Sequence, residues 1–203
     1  MGLSTNGQNS LCDGLAAVAV FSSLHTGDPS TTGANEATGG SPAYARKSVA
    51  WNAASGGQRT SSGSQTFDVP AGTYYWVGKF SASTAGTYYG AAPLGGQAPQ
   101  IGTAANTGDV ITSYAHGMVN TDRVVLEQFQ AVALPTGFSE GTVYFVVGGT
   151  TDTFQVSLTS GGAAVTISTD GELWFTKCIP EQFGGQGQLT IAAGSDAIDC
   201  RAL

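Results

Sequence analysis

Thr153-Phe154-Gln155-Val156-Ser157-Leu158 alternates polar and apolar residues without a break, and a period of two puts the apolar side chains on one face of an extended strand. That segment reads as half of a hairpin with one buried face. Short runs rich in β-branched and aromatic residues recur at Val18–Leu24, Lys47–Asn52, Gln65–Val69, Tyr74–Ser81 and Thr87–Gly90. A second set follows at Val124–Gln128, Thr142–Val147, Ala164–Ile167 and Leu173–Lys177. Gly, Pro and Ser clusters separate these runs at a spacing of about ten residues, the texture of a β-sandwich or barrel.

The amino-terminal stretch has a different period. Leu11 and Leu15 lie four apart with Ser4 or Asn6 available as an N-cap, which predicts a short amphipathic helix over Ser4–Ala17, interrupted or ended near Gly14. After the first strand, His25-Thr26-Gly27-Asp28-Pro29 signals a turn, and Ser30–Pro42 holds almost nothing apolar. It is a long loop, and loops of that length usually have a task or are mobile. Ala91–Thr107 turns to Gly, Ala, Gln and Pro, which marks a module boundary, while Gln186–Ala192 and Ala197–Arg201 restore the texture of the first half. The expected architecture is all-β: a sandwich or jelly-roll-like domain with a short amino-terminal helix, spanning 1–106 and completed by 179–203. A small β domain, 107–178, is inserted in it.

Composition narrows the function. A chain of 203 residues can hide roughly 70% of its unfolded surface, and 41% hydrophobic residues beside 30 glycines argue against disorder. Charged residues make up only 10%, and the net charge of -7 comes with basic residues scattered from Arg46 to Arg201. Nucleic acid is therefore not an expected partner, because phosphate binding needs clustered Lys and Arg. A surface of Ser, Thr, Asn, Gln and Gly suits packing against neighbouring proteins. Leu15–Phe21 lacks the basic residues that open a secretory leader, since no Lys or Arg precedes Arg46. No stretch reaches the ~18 apolar residues of a membrane span, so folding in the cytoplasm is expected. Cys12, Cys178 and Cys200 are widely spaced; buried reduced thiols are the plain reading, and a Cys12–Cys200 bridge stays open.

Catalytic chemistry finds little support. Gly137-Phe138-Ser139-Glu140-Gly141 spells G-x-S-x-G, but a nucleophile elbow needs a strand before it and a helix after it. Here Leu134-Pro135-Thr136 precedes and the β-rich Thr142–Val147 follows, so a hairpin turn is expected. His25 and His116 both precede Ser139, the wrong order for that fold, and neither has a ligand partner at metal-binding spacing. Asp152, Asp170, Asp196 and Asp199 form no calcium loop and read as turn formers. The glycine clusters at Gly56-Gly57 and Gly184-Gly185-Gln186-Gly187 lack a phosphate-binding ending. No enzyme activity and no cofactor are expected. The aromatic clusters Tyr74-Tyr75-Trp76 and Tyr88-Tyr89 carry more information, because neighbouring strand residues face opposite sides and both sides are then aromatic. One side is expected to be core and the other a subunit interface or a glycan-stacking surface.

The order Leu3-Ser4-Thr5-Asn6-Gly7-Gln8-Asn9-Ser10-Leu11-Cys12-Asp13-Gly14-Leu15, then Ser23-Leu24-His25-Thr26-Gly27-Asp28-Pro29 and Gly39-Gly40-Ser41-Pro42-Ala43-Tyr44-Ala45-Arg46-Lys47, resembles the amino-terminal module of minor tail or tail-fibre proteins of actinobacterial phages. The resemblance spans roughly residues 3–95 and departs at Asp13, where the family carries a small or polar residue. His116–Val124 and Leu134–Ser157 are similar to a small β module within phage tail proteins. The resemblance implies a virion tail component without catalytic residues, assembling with other tail proteins as a homo-oligomer, with a trimer expected. A contribution to host attachment is expected with that role, and a module that recognises cell-wall glycan through the exposed tyrosines is an alternative reading of the aromatic clusters. Capsid decoration is the alternative position for such a fold. Tyr44 and Arg46 are expected to anchor the long loop onto the sheet.

Overall fold

The computed structural model describes residues 3–95 and 98–201. The chain divides into two compact units, residues 1–96 with 180–203, and residues 97–179.

In the first unit a helix, α1 (Thr5–Val18), is followed by β1 (Phe21–His25), β2 (Lys47–Ser48), β3 (Gln58–Thr60), β4 (Gln65–Val69), β5 (Gly72–Tyr74), β6 (Trp76–Phe80) and β7 (Tyr88–Pro93). The second unit holds β8 (Gln100–Ala105), β9 (Val110–Thr112), β10 (Arg123–Gln128), β11 (Val143–Val147), β12 (Thr153–Ser157) and β13 (Gly171–Cys178). Three further strands, β14 (Glu181–Phe183), β15 (Gly187–Ile191) and β16 (Ala197–Asp199), return to the first unit. The class is all-β with one short amino-terminal helix.

Ser4 caps α1, its hydroxyl accepting from the Gly7 N–H. The helix runs through Gly14 rather than stopping there. A glycine costs a helix interior only ~1 kcal/mol, and packing of Cys12 and Ala16 against Ile198 and Cys200 carries the backbone past it. The buried stripe is accordingly Cys12–Ala16, and Leu11 stays 45% exposed. Asp13 points outward and pairs with Arg59 at 2.9 Å, so its charge leaves the helix packing untouched.

The first unit pairs β2-β1-β6-β7 in one antiparallel sheet. Three antiparallel ladders join early strands to late ones: β5 with β14, β4 with β15, and β3 with β16. Leu24 and Val77 of the four-stranded sheet share a core with Phe67, Val69, Leu189 and Ile191 of the β4–β15 ladder. All five residues of β6 are buried, as expected of a strand covered on both faces. The strand expected over Lys47–Asn52 ends after Ser48, because the chain leaves β1 and Trp51 bridges to Ser61 instead.

The second unit is a closed antiparallel barrel, in the order β10-β11-β12-β9-β8-β13. Closure removes the free edges that an open sheet would present. Leu126, Phe154, Phe175, Tyr144 and Ile111 fill its interior. Gly102 on β8 leaves room for them, since a Cβ there would sit 2.7 Å from Ile111 Cγ2. β8 and β9 fall in and just beyond the stretch expected to be a boundary. Ala164–Ile167, expected as a strand, forms none: Val165 N–H donates to Val156 O, but Ile167 N–H turns to the Asp109 carboxylate, so no ladder builds. Leu158 leaves the predicted alternation and is 64% exposed, because β12 ends at Ser157.

Candidate functional site

The loop after β1 is fastened to the sheet by a set of polar contacts. His25, at the end of β1, is fully buried. Its Nδ1 lies 2.7 Å from Ala34 O and its Nε2 2.8 Å from Ser23 Oγ. A carbonyl can only accept, so Nδ1 carries the proton and Nε2 accepts from the Ser23 hydroxyl. Gly78 on β6 faces this pair, and a Cβ at that position would collide with His25 Nε2 and Ser23 Oγ. Gly33 in the loop, at φ +75°, rests on Phe80 and Tyr88.

Tyr44 and Arg46 pin the far end of the loop. Tyr44 Oη accepts from Leu24 N–H at 2.8 Å and faces Glu36 Oε1 at 3.4 Å. Arg46 forks onto Glu36, Nε to Oε1 at 2.8 Å and Nη2 to Oε2 at 2.7 Å. Its Nη1 donates to Ala82 O and Ala85 O, and the guanidinium lies 3.3 Å from the Phe80 ring centroid. Planar geometry and five donors make arginine the residue that can do all of this at once. Burial raises the Tyr44 phenol above its usual range, so it stays protonated. Beside these contacts lies an open cavity of about 330 Å³ lined by Glu36, Thr38, Tyr44, Arg46, Ser83 and Thr84 among others.

Burial holds the His25 imidazole below its usual value; the Ala34 carbonyl and Glu36 oppose the shift, and Arg46 and Lys79 add to it. The sign is that of a depressed folded value. His25 stabilises the fold fully above its unfolded pKa of about 6.5, and that stability is lost as pH falls through the lower folded value. The thermal midpoint is therefore expected to drop on acidification below about pH 6.5, and a His25→Gln variant to show a flatter dependence. Equal slopes in calorimetry for the two proteins would show that His25 is not the group responsible.

The aromatic candidates divide. Tyr74 is buried, its hydroxyl donating to Pro70 O at 2.9 Å and its ring edge-on to Phe183. Trp76 is buried as well. Neither presents a face to a ligand. Tyr75, between β5 and β6, and Tyr88 are half-buried. Tyr88 packs on Phe80 at 5.2 Å between centroids, and burial followed by Asp28 pushes its phenol up to about 12. Tyr89 on β7, an edge strand of the four-stranded sheet, is 38% exposed.

Ser139 sits in the connection between β10 and β11, where its N–H donates to Tyr144 Oη at 2.9 Å. Among the described residues no helix follows it. A polar group that the sequence pattern does not reveal is the ion pair between Lys79 on β6 and Asp196, 2.5 Å apart. Ser22 Oγ donates to the other Asp196 oxygen at 2.7 Å. The two residues are separated by most of the chain, and only the pairing of β15 and β16 with early strands brings them together.

Comparison with known proteins places this geometry in a family. No curated protein and no solved structure matches the chain. The family model described as podophage GP4 fiber I protein gp80 matches residues 8–121. The match takes in most of α1, the loop with Tyr44 and Arg46, the four-stranded sheet and the first two barrel strands. It covers more than half of the 203 residues, and the chain belongs to this family of phage fibre proteins.

Proposed function

We propose that the chain is a non-enzymatic structural component of a phage tail, a fibre or minor tail protein that assembles with other tail proteins and contributes to attachment to the host. The observation that carries this reading is the fibre-family match over residues 8–121. The motif resemblance at the amino terminus extends it to phages of actinobacteria. A low charge density and a net charge of -7 support protein partners over nucleic acid, and among the described residues no helix is long and apolar enough to cross a membrane. The chain folds in the host cytoplasm and closes into a homotrimer, in which half-buried aromatics are covered by neighbouring copies. Sedimentation of the purified protein at threefold the chain mass is the expected result, and a monomer at micromolar concentration would refute the trimer. The two units, residues 1–96 with 180–203 and the β module 97–179 inserted between them, are proposed as separate modules of the fibre.

Gold-tagged antibody against the chain, viewed on intact particles by electron microscopy, tests the location. Label on the tail is expected. Label over the head would move the fold to capsid decoration.

Attachment would fall to Tyr89, the most exposed residue of the two aromatic clusters Tyr74-Tyr75-Trp76 and Tyr88-Tyr89. Tyr89→Ala is expected to leave unfolding stability within about 0.5 kcal/mol, as for other surface changes. Adsorption to host cells is expected to fall by roughly tenfold, the cost of losing one aromatic anchor. Unchanged adsorption would assign Tyr89 to assembly alone. Tyr74→Ala is no substitute test, because it removes a core side chain.

A further inference from the structure

Cys12 and Cys200 stand at opposite ends of the chain, 188 residues apart, with their sulfurs 2.7 Å from each other. Both are buried. Cys12 projects from α1, Cys200 follows β16, and Ala16, Ala19 and Ile198 complete the apolar cluster around them. Gly57 O holds the pair in place, accepting from Cys200 N–H at 2.9 Å and from the Cys12 thiol at 3.2 Å. Gly57 itself has φ +78°, and a Cβ there would press on Gln8 and Arg201, so the turn that supplies this carbonyl is fitted to both termini. Cys178, the third cysteine, belongs to β13 of the barrel.

We propose that Cys12 and Cys200 are a covalent cross-linking site, closed to a disulfide by a low-molecular-weight disulfide oxidant and locking the amino-terminal helix to the last strand of the first unit. One thiol loses its proton and its sulfur attacks the oxidant's S–S bond, forming a mixed disulfide and releasing one small thiol. The second protein thiolate then displaces the remaining small thiol and the Cys12–Cys200 bond forms. In sum two protein thiols are oxidised, and one small disulfide is reduced to two thiols. In the reducing cytoplasm the pair stays open, and an oxidising medium closes it. The site does not depend on the fibre reading, which bears only on when such a medium is met.

Reactivity should be slow, because only the thiolate attacks. Burial, with Cys12 alongside, pushes the Cys200 thiol up to about 12. Closure is therefore expected to quicken as pH rises. Once closed, the bond restricts the unfolded chain over nearly its whole length, and removing that much denatured-state freedom should raise the thermal midpoint by on the order of 10 °C.

The test is made on the full chain, reduced and then exposed under native conditions to glutathione disulfide. Before oxidation, alkylation in denaturant should modify all three cysteines. Afterwards it should modify Cys178 alone, the intact mass should fall by two hydrogens, and a digest should join the Cys12 and Cys200 peptides. Cys178→Ser should keep the cross-link and the gain in midpoint, while Cys12→Ser and Cys200→Ser should lose both. Three alkylated cysteines after prolonged oxidation, stable glutathione adducts without a cross-link, or a bond that includes Cys178 would each overturn the proposal. Alkylation, mass and digest are all read on the wild-type chain, so poor folding of a variant does not affect them.

Discussion

Asp196→Ala is expected to destabilise the chain by about 3–5 kcal/mol, since it strands a buried cation. Lys79 and Asp196 sit 2.5 Å apart with side chains only 9% and 4% exposed. Ser22 bridges them, donating to Asp196 Oδ2 and accepting from Lys79 Nζ. Burial lowers the Lys79 ammonium from its ordinary value and Asp196 opposes the shift. Without the carboxylate only the lowering remains, so in the variant Lys79 must shed its proton to stay inside. The penalty is thus expected to shrink as pH rises, because deprotonation then costs less. Replacing both partners, Lys79→Met with Asp196→Leu, should recover most of the loss, as apolar groups of similar volume need no counter-charge. Denaturant unfolding of the single and double variants checks this. A single-variant loss below about 1 kcal/mol, the range of exposed pairs, would mean that water reaches the pair.

That ion pair also marks where the sequence stops being readable. Gln65–Val69 was legible from end to end as β4, because its apolar Phe67 and Val69 alternate with polar residues and are buried while Thr66 is exposed, and Leu189 and Ile191 of its partner β15 do the same. The barrel strand β8 was not legible. Gln100-Ile101-Gly102-Thr103-Ala104-Ala105 has weak strand propensity, and its glycine is required by Ile111 on the adjoining strand β9, a neighbour that local pattern does not reveal. Closure into a barrel was likewise hidden, since it depends on β13 meeting both β10 and β8.

The candidate site divides along the same line. Tyr44 and Arg46 could be expected to anchor the loop, but their partner Glu36 could not, because nothing local links a loop carboxylate to an arginine ten residues on. Parity of adjacent residues predicts aromatics on both faces of the β5–β6 region. It could not separate Tyr74 and Trp76 from Tyr89, because β6 is covered on both sides whereas β7 lies at an edge. In α1 the leucines were the obvious core residues, yet the buried stripe follows the smaller Cys12 and Ala16. A close approach of helix to strand favours small side chains, which hydrophobicity alone does not rank highly.

Phe154→Ala should cost about 3–5 kcal/mol in the barrel, combining the lost transfer energy of a buried ring with the cavity it leaves. Phe154 on β12 is fully buried. Its ring lies 5.1 Å from Phe175 edge-on and 4.9 Å from His116, centroid to centroid. β12 joins β11 on one side and β9 on the other, so the void opens where side chains of several strands converge and no edge strand can shift inward to fill it. Phe154→Leu keeps most of the volume and should cost under about 1.5 kcal/mol. Hydrogen exchange read by mass spectrometry localises the effect. Each unit has its own apolar cluster, so amides of β8–β13 should lose protection while those of β1, β4 and β6 keep theirs. Protection lost equally across both sets would mean that barrel and first unit open as one cooperative body, and stabilities measured on the whole chain would then belong to neither unit alone.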